Sequence, residues 1–259
     1  MGEAMLSRIV AQKLSAPESI FVSDVSEARR QYLEKTYRVN TTDNNPEAVA
    51  AGEVIVLAIK PQTLALAMEG LKGRLKPSQL VLSIIAGARI DSLRKGLNHG
   101  SIVRAMPNTP AQIGAGMTVW TTTPEVNEKQ KQWAKAILGS IGQEIYMDDE
   151  KYLDMATAVS GSGPAYFFLF AEAMADAAVS IGIPRDMAEK LAMQTMLGSG
   201  LLLSNSGKPA AELRRMVTSP GGTTAEAIAS FEKSGFSEIV REAVVAAYEK
   251  AKQLGGERK

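Results

Sequence analysis

Apolar and polar positions divide the chain into two parts with different periodicity. Up to about residue 150, short apolar runs alternate with segments of helical spacing, as expected of strands and helices that follow one another. The predicted strands are residues 20–23, 54–59, 80–85, 101–106, 117–121 and 144–147, and the predicted helices are 27–35, 63–75 and 125–138. This alternation predicts a mostly parallel sheet covered by helices on both faces.

After Lys151 the strand signals stop and only helical spacing remains. Helices are predicted over residues 164–182, from Pro184 to about residue 205, and over 209–217, 223–233 and 237–254. Proline near the start and glycine just past the end support the first of them. Residues 167–170 (Phe-Phe-Leu-Phe) make that helix apolar nearly all round, so it must be buried. Because a domain of roughly 105 residues has limited interior, a subunit interface is favoured.

Composition and charge narrow the classes of function. The net charge is +1, so we expect neither nucleic acid nor an anionic membrane as partner. No apolar run approaches the roughly 20 residues that span a bilayer. The absence of cysteine excludes disulfides and thiolate sites and fits a reducing cytoplasm. The single histidine, His99, is predicted to be a solvated loop residue, so we expect no metal site and no histidine base.

The first chemical signal is Gly2, which precedes a helix predicted to run to Leu14. A dinucleotide-binding fold has a strand, then Gly-x-Gly-x-x-Gly, then a helix whose N-terminus faces the pyrophosphate. Gly2 fits the last glycine of that fingerprint, but the strand and the first two glycines are absent from the sequence. A random helix start is the simpler reading of Gly2 alone.

The end of the next predicted strand contains residues that could bind the ribose of a dinucleotide. Ser23 and Asp24 end this strand, and Asp24 lies 22 residues after Gly2, near the usual place of a ribose-reading residue. An acidic Asp24 suits the free 2′-hydroxyl of NAD(H), whereas Ser23, Ser26, Arg29 and Arg30 could instead hold a 2′-phosphate. A strand end followed by a solvated helix face explains the same residues equally well.

Two further loops follow buried strands. They are Ala58-Ile59-Lys60-Pro61-Gln62 and Met106-Pro107-Asn108-Thr109-Pro110. In open α/β sheets, ligands bind in the crevice outside the carboxyl ends of the strands, so both loops could contact a cofactor. Ordinary turn chemistry accounts for them as well.

The sharpest signal is the segment Thr218-Ser219-Pro220-Gly221-Gly222-Thr223-Thr224-Ala225-Glu226. Thr223 and Glu226 have the spacing of a capping box, which predicts a helix start. Two glycines before it let a ligand approach the backbone, and free N–H groups at a helix N-terminus attract anions. A bound carboxylate or phosphate, or merely a well-capped helix, explains this pattern.

Taken together, these segments resemble the pyrroline-5-carboxylate reductase family. Residues 159–166 (Val-Ser-Gly-Ser-Gly-Pro-Ala-Tyr) are similar to the segment that opens the family's helical domain, and residues 217–224 are similar to its substrate-binding signature. Residues 58–62 and 103–110 look like its cofactor loops. The resemblance extends from Met1 to about residue 254. It implies a Rossmann-type α/β domain over residues 1–150, with its first strand missing, and an all-α dimerisation domain over 151–259.

The resemblance also implies an activity, reduction of Δ1-pyrroline-5-carboxylate to L-proline by NADPH, with NADH as an alternative. Thr224 would hydrogen-bond the ring nitrogen, and the substrate carboxylate would be held by Ser219, Gly221, Gly222 and Thr223. The dinucleotide would lie along Gly2, Ser23, Asp24, Asn45, Ala58, Lys60 and Pro61, with its nicotinamide near Met106, Asn108 and Thr109. The protein would be cytoplasmic and form an intertwined dimer, with dimers assembling into decamers.

The sequence departs from the family at two points. About ten residues precede the position of Gly2 in the family, so either Met1 is an internal methionine taken for the start, or the chain is a truncated form. Asp24 would repel a 2′-phosphate and weakens the preference for NADPH. The alternatives are another NAD(P)-dependent imine or 2-hydroxy-acid reductase, or a truncated paralogue without catalysis.

Overall fold

A computed structural model describes residues 1–256 of the chain, which fall into two compact units. The first unit contains residues 1–162 and the C-terminal segment from Ala247, and the second contains residues 163–246. We predicted a division at residue 150. The first unit extends further because Asp154 forms an ion pair with Arg104 of the sheet. The C-terminal segment also packs closely, since a Cβ added at Gly87 would lie 2.8 Å from the carbonyl oxygen of Leu254.

The first unit is an α/β structure with two sheets whose strands are mostly parallel. Its strands are β1 Phe21–Ser23, β2 Asn40–Thr42, β3 Val54–Leu57, β4 Leu80–Ser83, β5 Ile102–Met106, β6 Gly116–Thr122 and β7 Gly142–Tyr146. Strands β1 and β2 pair with each other, and β3 to β7 form a five-stranded sheet in sequence order. Only the pairing of β5 with β6 is antiparallel. The prediction of a mostly parallel sheet is confirmed.

Helices cover both faces of the five-stranded sheet. The helices of the first unit are α1 Gly2–Ala11, α2 Glu27–Tyr37, α3 Asn45–Ala51, α4 Leu64–Leu71, α5 Ile90–Leu97, α6 Glu128–Ser140 and α7 Lys151–Ala156. Leu80 and Leu82 pack with residues of α1 and α6, whereas Val81 between them packs with residues of α4 and α5. Alternate residues of β4 thus serve opposite faces, as strand geometry requires.

Strand β3 differs from its prediction. It ends at Leu57, and Val54 and Val56 are only half-buried, so the expected strand over residues 54–59 with both faces buried is wrong. The physical reason is that β3 lies at the edge of its sheet. It pairs with β4 on one side, and among the described residues no strand pairs with its other side. The exposed residues that follow Leu57 form the loop over residues 58–62, one of the two predicted cofactor loops.

His99 is also a correction. We predicted a solvated loop residue, but only 8% of its surface is exposed and its Nε2 lies 2.8 Å from the carbonyl oxygen of Gln79. Asn98 adopts a left-handed conformation (φ 51°) at the end of α5 and turns the chain inward, which places the imidazole against the start of β4.

The second unit is helical, with bounds close to those predicted. It contains α8 Gly163–Ser180, α9 Arg185–Asn205, α10 Ala210–Met216, α11 Thr223–Lys233 and the start of α12 Phe236–Leu254. Its buried residues are small, namely Gly163, Ala175, Ala188 and Ala192. Phe167 and Phe168 of α8 are more than 60% exposed. The apolar face of α8 is therefore not covered by the described residues of this chain.

Candidate active site

Gly2 and Ala58 lie against each other at the carboxyl edge of β3. A Cβ added at Gly2 would lie 3.1 Å from the Cβ of Ala58, tighter than most such contacts, so a larger residue there requires a small shift of α1 or of Ala58. The first N–H groups of a helix have no partner within the helix and carry its positive dipole end. Lys60 follows on the exposed side, and its carbonyl oxygen accepts from the backbone N–H and the hydroxyl of Thr63. This edge has the groups that a pyrophosphate would need.

The predicted ribose-reading residues lie at the end of β1. The Asp24 carboxylate accepts a hydrogen bond from the Ser26 N–H at 2.9 Å, and the Ser26 hydroxyl caps α2 by accepting from the Arg29 N–H. Both polar side chains are thus used in a local turn. Asn45 is exposed as the first residue of α3, beside its cap Asn44.

A carboxylate that the sequence did not single out lies next to Gly2. Glu3 accepts hydrogen bonds from the Tyr37 hydroxyl at 2.9 Å, from the Tyr32 hydroxyl at 3.1 Å, and from the Arg29 guanidinium. The bond from Arg29 lowers the pKa of Glu3 below its usual value, against an opposing effect of burial. Burial and the bond to Glu3 raise the pKa of Tyr37 to about 12. Glu3 is therefore an ionised carboxylate held by three donors.

The loop after β5 packs against the first signature segment. The Asn108 amide donates to the carbonyl oxygen of Ser160 at 3.0 Å, and its Oδ1 accepts from the Met117 N–H at 2.8 Å. A Cβ at Gly161 would lie 3.2 Å from the Met106 methyl, so glycine permits this approach. Thr109 is exposed and begins a 3₁₀ turn, Thr109–Ile113. Sequence reasoning placed Met106 and Asn108 near the nicotinamide, but it did not foresee their contacts with residues 160–161.

These contacts depend on a π-helical turn, Thr157–Gly161, that continues α7. The Ser162 N–H bonds to the Thr157 carbonyl oxygen at 2.8 Å, five residues back, as such a turn requires. Single π turns occur often at functional sites. The turn brings the carbonyl of Ser160 to the Asn108 amide.

A buried ion-pair cluster supports this arrangement, and sequence reasoning missed it. Arg104 of β5, 3% exposed, donates to Glu150 at 2.8 Å and to Asp154 at 2.9 Å. Asp154 also pairs with Arg89 at 3.2 Å, and the Arg89 Nε donates to the carbonyl oxygen of Gly255. A lone charge inside an apolar strand, with two carboxylates four residues apart on a helix, was the available signal. The cluster ties α7 and the C-terminal end of α12 to the sheet.

The turn before α11 and the first two residues of that helix contain all five residues predicted for the substrate. Gly221 has φ +69°, a left-handed conformation that glycine adopts without strain, and its surroundings are open. Gly222 is the N-cap of α11 without a side-chain cap, so the predicted capping box of Thr223 and Glu226 is wrong. The helix begins one residue earlier than that box requires, because the Gly222 carbonyl accepts from the N–H groups of Ala225 and Glu226.

Because no side chain caps α11, the backbone N–H groups at its start are well suited to bind an anion. Thr223 and Thr224 are its first two residues, so their N–H groups have no acceptor within the helix. Ser219 closes the turn, since its carbonyl oxygen accepts from the Gly222 N–H at 3.0 Å. Thr224 is half-buried, whereas Ser219, Gly221 and Thr223 are exposed. Ser219, Gly221, Gly222, Thr223 and Thr224 thus form one accessible turn in the second unit.

Within residues 1–256, acidic and histidine side chains do not gather in groups of three or more that could hold a metal ion. Nor does any helix there combine the length and apolarity that crossing a membrane requires.

The fold and the candidate site together indicate the class of protein to which the chain belongs. A Rossmann-type α/β unit with a glycine at the start of its first helix, followed by an all-helical unit, is the architecture of two-domain dinucleotide-binding proteins. Residues 1–87 match the family model described as NADP oxidoreductase, coenzyme F420-dependent. Residues 150–254 match that of pyrroline-5-carboxylate reductase dimerisation.

Individual relatives agree over nearly the whole chain. The pyrroline-5-carboxylate reductase of Synechocystis is 45% identical, covering 98% of this chain and 95% of the relative, and that of Pseudomonas aeruginosa is 39% identical, covering 98% and 93%. The solved structure of the Coxiella burnetii enzyme has 34% identity and a TM-score of 0.92, covering 98% of this chain and 94% of that one. The Plasmodium falciparum enzyme with NADP bound has 34% identity, a TM-score of 0.88 and the same coverage. The chain belongs to the pyrroline-5-carboxylate reductase family.

Proposed function

We propose that this protein reduces Δ1-pyrroline-5-carboxylate to L-proline with hydride from a reduced nicotinamide cofactor, the last step of proline biosynthesis. The observation that carries the proposal is the turn before α11, where open backbone N–H groups at a helix start lie beside the Thr224 hydroxyl. A small amino acid with a carboxylate next to a ring nitrogen matches these two features.

The substrate carboxylate binds at the N-terminus of α11. The N–H groups of Thr223 and Thr224 point out of the helix start, and Gly221 and Gly222 have no side chains to obstruct an approach. Each hydrogen bond from a backbone N–H to a carboxylate is charge-assisted and stronger than a neutral one. Ser219 completes the turn that holds these groups in place.

Thr224 orients the ring nitrogen. A cyclic imine protonates readily in water and its iminium form is a good electrophile, so the reaction needs no strong acid from the protein. The nicotinamide supplies the hydride when bound. What remains for the protein is alignment, which contributes through proximity and orientation. The Thr224 hydroxyl contributes by fixing the nitrogen relative to the carboxylate.

The cofactor would bind along the carboxyl edge of the strands in the first unit. Gly2 and Ala58, at the start of α1, would hold its pyrophosphate, and Lys60, Pro61 and Asn45 would line the same edge. Ser23 and Asp24 would hold the ribose.

Met106, Asn108 and Thr109 would hold the nicotinamide, which supplies the hydride when bound. NADPH is the preferred cofactor and NADH an alternative, because Arg29 and Arg30 lie just after Asp24 in a helix that begins at this edge.

The protein works as a dimer, and dimers assemble into decamers. Support for self-association comes from α8, whose Phe167 and Phe168 are exposed although a helix apolar on all sides requires cover. Light scattering of the purified protein measures the number of subunits. The cytoplasmic location stays a prediction from the sequence.

The activity test uses purified protein, Δ1-pyrroline-5-carboxylate and each reduced cofactor, with cofactor absorbance as readout. Thr224→Ala lowers kcat by roughly one to two orders of magnitude through loss of orientation. The matched control is Ser230→Ala, which removes an exposed hydroxyl further along the same helix and leaves kcat unchanged. Equal activity of both variants would contradict the role of Thr224. Faster turnover of another cyclic imine or of a 2-oxo acid would contradict the substrate.

A further inference from the structure

Three donors converge on the carboxylate of Glu3, in the first turn of α1. Arg29 forms an ion pair with it, and Tyr32 and Tyr37 donate their hydroxyls. Arg29 also lies over the Tyr32 ring, 5.1 Å from its centre. The cluster therefore joins the start of α1, next to Ala58, to three positions along α2, the helix that follows Asp24.

The two arginines that could read a 2′-phosphate are both engaged by oxygen atoms of the protein. Arg29 is held by Glu3. Arg30 donates to the carbonyl oxygen of Asp24 at 2.7 Å and lies 3.8 Å from the Asp43 carboxylate. Arg29 is the more accessible, with 40% of its side chain exposed against 18% for Arg30. An incoming phosphate reaches Arg29 more easily, and it must compete with Glu3 to do so.

We propose that Glu3 is a specificity-determining residue for the cofactor: its carboxylate competes with a 2′-phosphate for the Arg29 guanidinium and so draws the affinities for NADPH and NADH together. This inference rests on the proposed function, which places the dinucleotide at this edge. Two effects act in the same direction. Glu3 occupies the Nη2 donor of Arg29, and its negative charge opposes that of the phosphate.

Glu3→Gln separates charge from shape. The amide still accepts hydrogen bonds from Tyr32 and Tyr37, but it no longer carries a charge that opposes the phosphate or holds Arg29. Because the pair is partly exposed and screened, we expect NADPH to bind about five- to twentyfold more tightly, while the dissociation constant of NADH changes less than about twofold.

The experiment titrates the full-length protein with NADPH and with NADH and follows nicotinamide fluorescence, so binding is measured without turnover. Glu34→Gln is the matched control, since it removes one negative charge from an exposed position of α2 whose side chain bonds only to Thr41 among the described hydrogen bonds. The ratio of the two dissociation constants stays unchanged in this control. Circular dichroism confirms that each variant is folded.

A second variant tests the role of Arg29, the partner of Glu3. Arg29→Gln weakens NADPH binding and leaves NADH binding unchanged, and the double variant Glu3→Gln with Arg29→Gln shows none of the gain for NADPH. A gain that persists without Arg29, or an equal change for both cofactors, would overturn the inference alone. Failure of the unaltered protein to bind either cofactor would overturn the proposed function together with it.

Discussion

Replacing Arg104 with methionine tests whether the buried cluster stabilises the first unit. The substitution keeps the length of the side chain but removes two charge-assisted hydrogen bonds, of 2.8 Å to Glu150 and 2.9 Å to Asp154. Asp154 is 5% exposed and keeps only Arg89 as a cationic partner within the cluster, at 3.2 Å. Breaking a buried pair costs about 3 to 5 kcal/mol. Because Glu150 is 25% exposed and can be hydrated, we expect the lower end, about 3 kcal/mol.

Urea unfolding followed by circular dichroism measures this loss as a change in the free energy of unfolding. A loss of about 3 kcal/mol is a large share of the roughly 5 to 15 kcal/mol that stabilises a typical protein. The control is Arg94→Met, which breaks the pair with Glu125 on the surface, where the two side chains are 41% and 43% exposed. Such pairs contribute about 0 to 1 kcal/mol. Equal losses in both variants would refute the reasoning.

Three further predictions concern single side chains. Burial and the bond to Glu3 raise the pKa of Tyr37 to about 12, above the value near 10 of a free tyrosine, so its contribution to stability is lost as pH rises between these values. Tyr37→Phe removes a step near pH 12 from a tyrosine absorbance titration, and a titration without change would contradict this. His99→Ala leaves the Gln79 carbonyl without this partner and lowers the free energy of unfolding by about 1 to 3 kcal/mol in a urea titration, whereas a solvated histidine would give almost no change. Gly2→Ala forces the start of α1 away from Ala58 and weakens NADPH binding in a fluorescence titration, while unchanged affinity would exclude this contact from the cofactor site.

The features that the sequence predicted correctly depend on residues that are close together in the chain. The start of α9 followed from Pro184, because proline acts on its own backbone. The predicted range of α11, residues 223–233, agrees with the structure, although the capping box from which its start was predicted did not form. The alternating strands and helices of the first unit followed from hydrophobic periodicity alone. The turn of the candidate site was identified for the same reason, since its residues are consecutive.

The features that the sequence did not predict depend on tertiary structure. His99 lies in a polar stretch, and only its position against the start of β4 buries it. Arg104 belongs to an apolar strand, and its partners come from a helix far along the chain. Strand β3 has the composition of a central strand but lies at an edge of its sheet. Glu3 was missed because its three donors belong to another helix.

The alanine interior of the second unit has a consequence for how much protein a cell must make. Three methyl groups, of Ala175, Ala188 and Ala192, fill the place that leucine or phenylalanine takes in most small domains, and the rings of Phe167 and Phe168 are exposed. With so little apolar area of its own to bury, we expect the unit to gain stability when it meets a second chain. We then expect folding and assembly to be one concentration-dependent event, so that a scarce protein is also a less stable one.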